Sequence, residues 1–178
     1  GCQNTSFTTA SATVVVNPIP TQPVISVINY CHNQVAGPLT ATGNNLKWYT
    51  LSSGGAAETT APTPNTNIVG TSTPYYVSQT SVNGCESLRS PATVIVNALP
   101  AVNAGTDQTI CLGSTVTLSG TGASSYTWSD GSSNNSVITP SSTTTYTVTG
   151  TDTNSCTNSD QVTITVNPIP AIPSITNN

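Results

Sequence analysis

The sequence predicts an all-β chain of tandem two-sheet sandwiches arranged as an extended rod, on three observations. One pattern recurs three times, apolar residues alternate at a period of two, and no segment holds a 3.6-residue apolar period long enough for a helix. The recurrence is marked by Val16-Asn17-Pro18-Ile19-Pro20, Val96-Asn97-Ala98-Leu99-Pro100 and Val166-Asn167-Pro168-Ile169-Pro170, at intervals of 80 and 70 residues. Inside the two complete intervals the landmarks keep register. Cys31 to Trp48 and Cys111 to Trp128 both span 17 residues, and Tyr75 to Cys85 and Tyr146 to Cys156 both span 10. The length difference falls between Trp and Tyr, where the first copy carries the Gly/Pro/Thr-rich stretch Leu51–Pro64.

The phase divides the chain into four parts: residues 1–20 as the C-terminal tail of a preceding repeat, whole repeats at 21–100 and 101–170, and the first strand of a following repeat at 171–178. On this reading the parent is longer at both ends. Strands are read from Val116-Thr117-Leu118, Tyr146-Thr147-Val148 and Val162-Thr163-Ile164-Thr165-Val166, where β-branched Thr suits an outward, wet face. Turns are read at Gly54-Gly55, Asn83-Gly84 and Asp130-Gly131. About seven short strands per repeat, one Trp early and one Tyr late, describe a small sandwich with Trp48, Trp128, Tyr75 and Tyr146 as core. Proline-bearing connectors (Pro18, Pro20, Pro23; Pro100; Pro168, Pro170, Pro173) are stiff.

Leu46-Lys47-Trp48-Tyr49-Thr50, Thr60-Ala61-Pro62-Thr63-Pro64, Tyr75-Tyr76-Val77-Ser78-Gln79-Thr80 and Asn83-Gly84-Cys85-Glu86-Ser87 resemble the Ig-like repeats of Bacteroidetes surface proteins. The second repeat, with Val102–Cys111 and Tyr126-Thr127-Trp128, resembles their PKD-like relatives, offering Trp128-Ser129-Asp130-Gly131 where that pattern has Trp-x-Phe-Gly-Asp-Gly. The resemblance implies Ig-like sandwiches in secreted, often very large repeat proteins, gliding adhesins exported by the type IX system among them. It implies an extracellular, cell-surface location, no cofactor and no catalytic residues.

Cysteine is the sharpest chemical feature. Five cysteines without a Cys-x-x-Cys and with one histidine argue against zinc and for disulfides in an oxidising setting. His32 follows Cys31 directly, so on a strand the two face opposite ways, against a thiol–imidazole dyad. Two pairings are open. Within repeats, Cys31 would bond Cys85 and Cys111 would bond Cys156, leaving Cys2 to an upstream residue. Yet Cys31 and Cys111 precede the first turn of a sandwich, and Cys85 and Cys156 sit at its last hairpin, separated by a strand of roughly 33 Å at 3.3 Å per residue. A disulfide spans only about 4.4–6.8 Å between Cα atoms. The alternative is Cys31–Cys156 between repeats, with Cys2, Cys85 and Cys111 bonding repeats outside this stretch.

Composition narrows the function. The chain has 178 residues, 2 Lys+Arg and 6 Asp+Glu, so a phosphate backbone finds no counter-charge and nucleic acid is excluded as a partner. No apolar run reaches the roughly 18–20 residues of a membrane span. A Ser-His-Asp triad would need His32, in a repeat without aspartate. Asp130 and Asp160 sit beside Gly or Ser and Asp152 lies two residues before Asn154, so all three read as turn residues rather than an acid/base pair. Asp152, Asn154 and Asp160 give calcium only two carboxylates toward 6–8 oxygens. Lys47 suggests an isopeptide bond, but the second repeat has no lysine. Asn4-Thr5-Ser6 and Asn134-Asn135-Ser136 match the glycosylation sequon, as an Asn/Thr-rich chain does by accident.

The favoured reading is therefore a stalk or filament segment of a surface adhesin, not an enzyme, whose partners are neighbouring repeats of the chain and other filament subunits. The alternatives are a carbohydrate-binding module stacking Tyr49 and Tyr76 on surface polysaccharide, or a spacer in a secreted polysaccharide hydrolase. With 34 Thr and 23 Ser against so few charges, stability must come from burial, sheet hydrogen bonds and disulfides. The melting temperature is expected to move little between low and high salt, because screening has few charges to act on; a large shift in differential scanning calorimetry contradicts this.

Overall fold

A computed structural model describes residues 14–70 and 75–171. Cys2, Asn4 and the restart over 172–178 lie outside them. Eleven strands and no helix occur among the described residues. The described residues form two compact units, drawn from segments 14–28, 37–64 and 75–93, and from 29–36, 65–70 and 94–171. These units cut across the first sequence repeat: its segments 29–36, 65–70 and 94–100 group with the second repeat.

The first unit is built on a three-stranded antiparallel sheet of β2 (Leu46–Tyr49), β3 (Tyr75–Gln79) and β4 (Ser90–Ala92), in the order β2-β3-β4. Trp48 pairs with Val77 across the sheet, and both are buried, as are Leu39 and Ala92. Tyr75 departs from the core expected of it and is only half-buried. The Leu51–Pro64 stretch returns to the sheet through paired Trp48 and Glu58 backbones, 2.8 and 2.9 Å.

In the second unit, β1 (Ile28–Cys31) pairs with β5 (Val94–Asn97). The second repeat follows as two layers. One is a four-stranded sheet, β6-β11-β10-β8, from β6 (Gln108–Cys111), β8 (Ser125–Trp128), β10 (Thr144–Thr151) and β11 (Thr157–Asn167). The other pairs β7 (Val116–Leu118) with β9 (Ser136–Ile138). β11 runs antiparallel to β10 and parallel to β6, the Ile164↔Gln108 and Asn167↔Cys111 positions facing one another. The core takes alternate residues from both layers: Val116 and Leu118 from β7, Trp128 from β8, Tyr146 and Val148 from β10, Val162 and Ile164 from β11. The intervening threonines face outward and pair with one another, Thr145 with Thr163 at 3.0 Å.

Glycine is required by geometry at two informative turns. Gly113 (φ +87°) has open space where a Cβ would stand, whereas at Gly122 (φ +88°) a Cβ would collide with the Ala101 carbonyl oxygen. Gly113→Ala is expected to cost about 1–2 kcal/mol from the left-handed backbone alone. Gly122→Ala should cost clearly more, because backbone must also move; urea denaturation of the two variants measures the difference.

Candidate functional site

The feature that ties the repeats chemically is a disulfide between Cys31 and Cys156, Cα atoms 5.5 Å apart and 125 residues apart in sequence, inside the second unit. Each cysteine is placed by a turn. Cys31 ends β1, where its carbonyl accepts the Gln34 amide and the His32 amide donates to Asn97 O at 2.8 Å, with Asn33 in the left-handed region at φ 62°. Cys156 closes the β10–β11 hairpin, buried. The Asp152 carboxylate accepts the Asn154 and Cys156 amides at 2.8 Å each, and Ser155 takes φ 64°. Asn158 Nδ2 donates to Pro100 O at 3.0 Å, fastening the hairpin strand to the end of the first repeat. Of the two pairings open from sequence, the within-repeat bonds Cys31–Cys85 and Cys111–Cys156 are not formed. The cause is positional, since each repeat puts its two cysteines at different turns. Among the described residues, Cys85 and Cys111 are unbonded.

Other sequence candidates are absorbed by local structure. His32 Nε2 lies 3.2 Å from Asn67 O, and Cys31 is bonded, so no dyad exists. Asp130 accepts the Ser132 hydroxyl foremost and the Ser132 amide as well, which lower its carboxyl below the usual range. Asp160 accepts the Ala104 amide, which lowers it likewise, and Asp152 serves the hairpin. No group of three His, Cys, Asp or Glu side chains gathers among the described residues. Asn134 is not available as a glycan acceptor. Its Nδ2 donates to Gly120 O at 3.0 Å, while its Oδ1 accepts the Gly120 amide and Trp128 Nε1. Tyr126 ties a loop back on itself: its hydroxyl donates to Ala123 O and accepts the Ala123 amide.

A polar cluster that sequence reasoning missed surrounds Glu86. Its carboxylate accepts the Tyr49 hydroxyl at 2.5 Å, the Ser78 hydroxyl at 2.6 Å and Lys47 Nζ at 3.1 Å. The other cation, Arg89, lies over the Tyr49 ring, 3.3 Å from its centre, and donates to Leu51 O and Gly54 O. Tyr49 is thus 6% exposed with a guanidinium on its face, which removes it as a sugar-stacking platform. Lys47 faces a glutamate carboxylate. Only the i, i+2 alternation of Lys47 and Tyr49 along one strand, sharing one face, could have hinted at the cluster.

A cavity of about 410 Å³ beside Trp48, Tyr49, Glu58 and Tyr75 has a mixed polar and apolar wall and gathers no catalytic constellation. The Ser78 hydroxyl foremost, then the Tyr49 hydroxyl and Lys47, pull the Glu86 carboxyl from 4.5 to about 2. A depressed carboxyl stabilises the fold above its unfolded value and loses that contribution as pH falls. The melting temperature is expected to drop between pH 4.5 and 2, and Glu86→Gln should flatten that limb, as thermal melts across the window would record.

No curated protein sequence matches the chain. Among solved structures, fibronectin(III)-like modules of Clostridium thermocellum CbhA align at 16% identity and TM-score 0.40, over 86% of this chain and 96% of that one. Extracellular domains 3–5 of Drosophila OTK align at 13% and 0.40, over 82% and 60%. A mutated three-Ig-domain fragment of titin aligns at 15% and 0.38, over 83% and 64%. These alignments are too loose to carry a functional reading. One family model is more specific: residues 20–97 match the CHU_C-associated Ig-like domain, in keeping with the resemblance to Bacteroidetes surface repeats.

Proposed function

We propose that the chain is a structural stalk or filament segment of a large secreted or surface-anchored bacterial adhesin, with its repeats in a rod that supplies reach and tensile strength. The observation that carries this reading is the Cys31–Cys156 bond. A pull on the backbone reaches Cys31, crosses to Cys156 and leaves toward residue 170, so residues 32–155 lie off the covalent line of force. An enclosed connector, proline-bearing at Pro100, then carries no tension. A stable cystine requires an oxidising compartment, which supports a location outside the cytoplasm; the cell surface itself comes from the resemblance. Both trypsin-sensitive side chains are engaged, Lys47 with Glu86 and Arg89 with Leu51 and Gly54, which suits exposure to proteases. Its partners on this reading are neighbouring repeats and other filament subunits; type IX export and a part in gliding come from the resemblance alone.

Of the two tyrosines in the carbohydrate-binding alternative, Tyr49 is enclosed and Tyr76 is half-buried, and a hydrolase spacer would show the same load path. Single-molecule pulling between residues 21 and 170 tests the reading. Reductant is expected to add roughly 410–450 Å of contour length, 125 residues at about 3.3–3.6 Å each. Equal lengths with and without reductant would mean that the bond bypasses nothing, and the load-bearing account would fail.

A further inference from the structure

Cys85 and Cys111 occupy the same two structural positions as the bonded pair. Cys111 ends β6 as Cys31 ends β1. The Leu112 amide donates to Asn167 O at 2.8 Å, as His32 does to Asn97 O, and the Ser114 amide donates back to Cys111 O, as Gln34 does to Cys31 O. The left-handed residue is Gly113 in place of Asn33. Cys85 closes its hairpin as Cys156 does. The Ser81 amide donates to Cys85 O at 2.9 Å, matching Asp152 to Cys156 O, and the Cys85 amide donates to Ser81 Oγ as Cys156 does to Asp152 Oδ1. Gly84, at φ 83°, stands where Ser155 stands.

A second observation marks where the partner of Cys85 docks. Cys85 Sγ points at Asn17 O, 3.9 Å away. The repeat equivalents of Asn17, Asn97 and Asn167, each accept the amide that immediately follows a first-strand cysteine. In the segment leading to Asn17, Val14 and Val16 are 83% and 86% exposed among the described residues, while Val94 and Val96, their counterparts, are 1% and 2% exposed. Residues 16–20 are identical in sequence to 166–170, and the latter already carry β6 and Cys111 alongside.

We infer that Cys85 and Cys111 are two halves of a second cystine, completed by a second copy of this chain. Val166–Asn167 of the incoming copy, with β6 beside it, takes the place of Val16–Asn17 and brings Cys111 to Cys85. The contact repeats the order of the bond already present, first-strand cysteine to the hairpin cysteine of the next repeat. It is heterologous, so copies add in series without closing a symmetric pair. It stands apart from the load-bearing reading, since copies joined in this way need carry no tension.

The bond forms by exchange with a small-molecule disulfide such as oxidised glutathione. The Cys85 thiolate attacks one sulfur and releases one thiol. The Cys111 thiolate of the second copy then attacks the Cys85 sulfur and releases the other. Two protein thiols become one disulfide, and the oxidant is reduced to two thiols, which take up the two protons.

The test uses the full chain with Cys2→Ser, incubated in a glutathione redox buffer and read by non-reducing electrophoresis and peptide mapping. Dimers and higher multiples linked Cys111 to Cys85 are expected, with Cys31–Cys156 retained. Adding Cys85→Ser or Cys111→Ser should each leave monomer, while an equal mixture of the two variants should double in mass and stop there. The inference is overturned if either variant alone dimerises as readily as the mixture, if the bond forms within one chain, or if the parent stays monomeric with both thiols open to alkylation. Unchanged thermal melts of the reduced variants exclude misfolding as the cause.

Discussion

One covalent bond constrains more of this chain than any other contact. Closing a loop of 125 residues removes conformational freedom from the unfolded ensemble worth about 5 kcal/mol in the chain-entropy model. That is comparable to the whole stability of a small domain. The bond is only as good as the two turns that present its sulfurs. Asp152 holds the Cys156 hairpin by accepting two amides, and Asn33 lets the chain reverse immediately after Cys31. Polar turn residues with no catalytic work thus set the position of the strongest link in the molecule.

The rest of the fold is held with hardly any charge. Hydroxyl and amide side chains do what ion pairs do elsewhere: Thr145 meets Thr163 across a sheet, Asn134 bridges Gly120 and Trp128, and Gln79 reaches Thr21 O and the Asn44 amide. Such bonds are short-ranged and insensitive to screening. Both cations are spent around Tyr49, where Lys47 meets Glu86 and Arg89 pins the start of the Leu51–Pro64 stretch. A stretch rich in Gly, Pro and Thr has little to bury, so the guanidinium's two carbonyl contacts supply an anchor that its own composition lacks.

The layered β architecture was legible because alternation and repetition are properties of a linear string. Val116, Leu118, Val148, Val162 and Ile164 announce their burial by period alone, and matched Cys–Trp and Tyr–Cys spacings fix the repeats. The cystine was half legible: spacing placed each cysteine at a named turn, and strand length weighed against the pairing within repeats, but two connectivities stayed open. The Glu86 cluster was not legible. It joins Lys47 and Tyr49 to Ser78 and to a hairpin residue, a contact decided by register across a sheet, and no local pattern encodes register. Tyr75 was misjudged for a related reason. Its spacing to Cys85 matches that of Tyr146 to Cys156, but the longer return of Leu51–Pro64 gives it a different neighbourhood, half-buried beside Trp48 and Tyr49.

The choice between the two connectivities has a mechanical meaning that composition alone could not supply. A cystine within each repeat would lock each sandwich and leave the connector around Pro100 as the only route for tension between them. The bond observed instead spans that connector, because residues 97–111 lie inside the loop from Cys31 to Cys156. Under this arrangement the connector need not be strong. It needs only to be short and stiff enough to bring one repeat's first turn to the next repeat's last hairpin, and a proline-bearing connector with almost no charge meets that requirement.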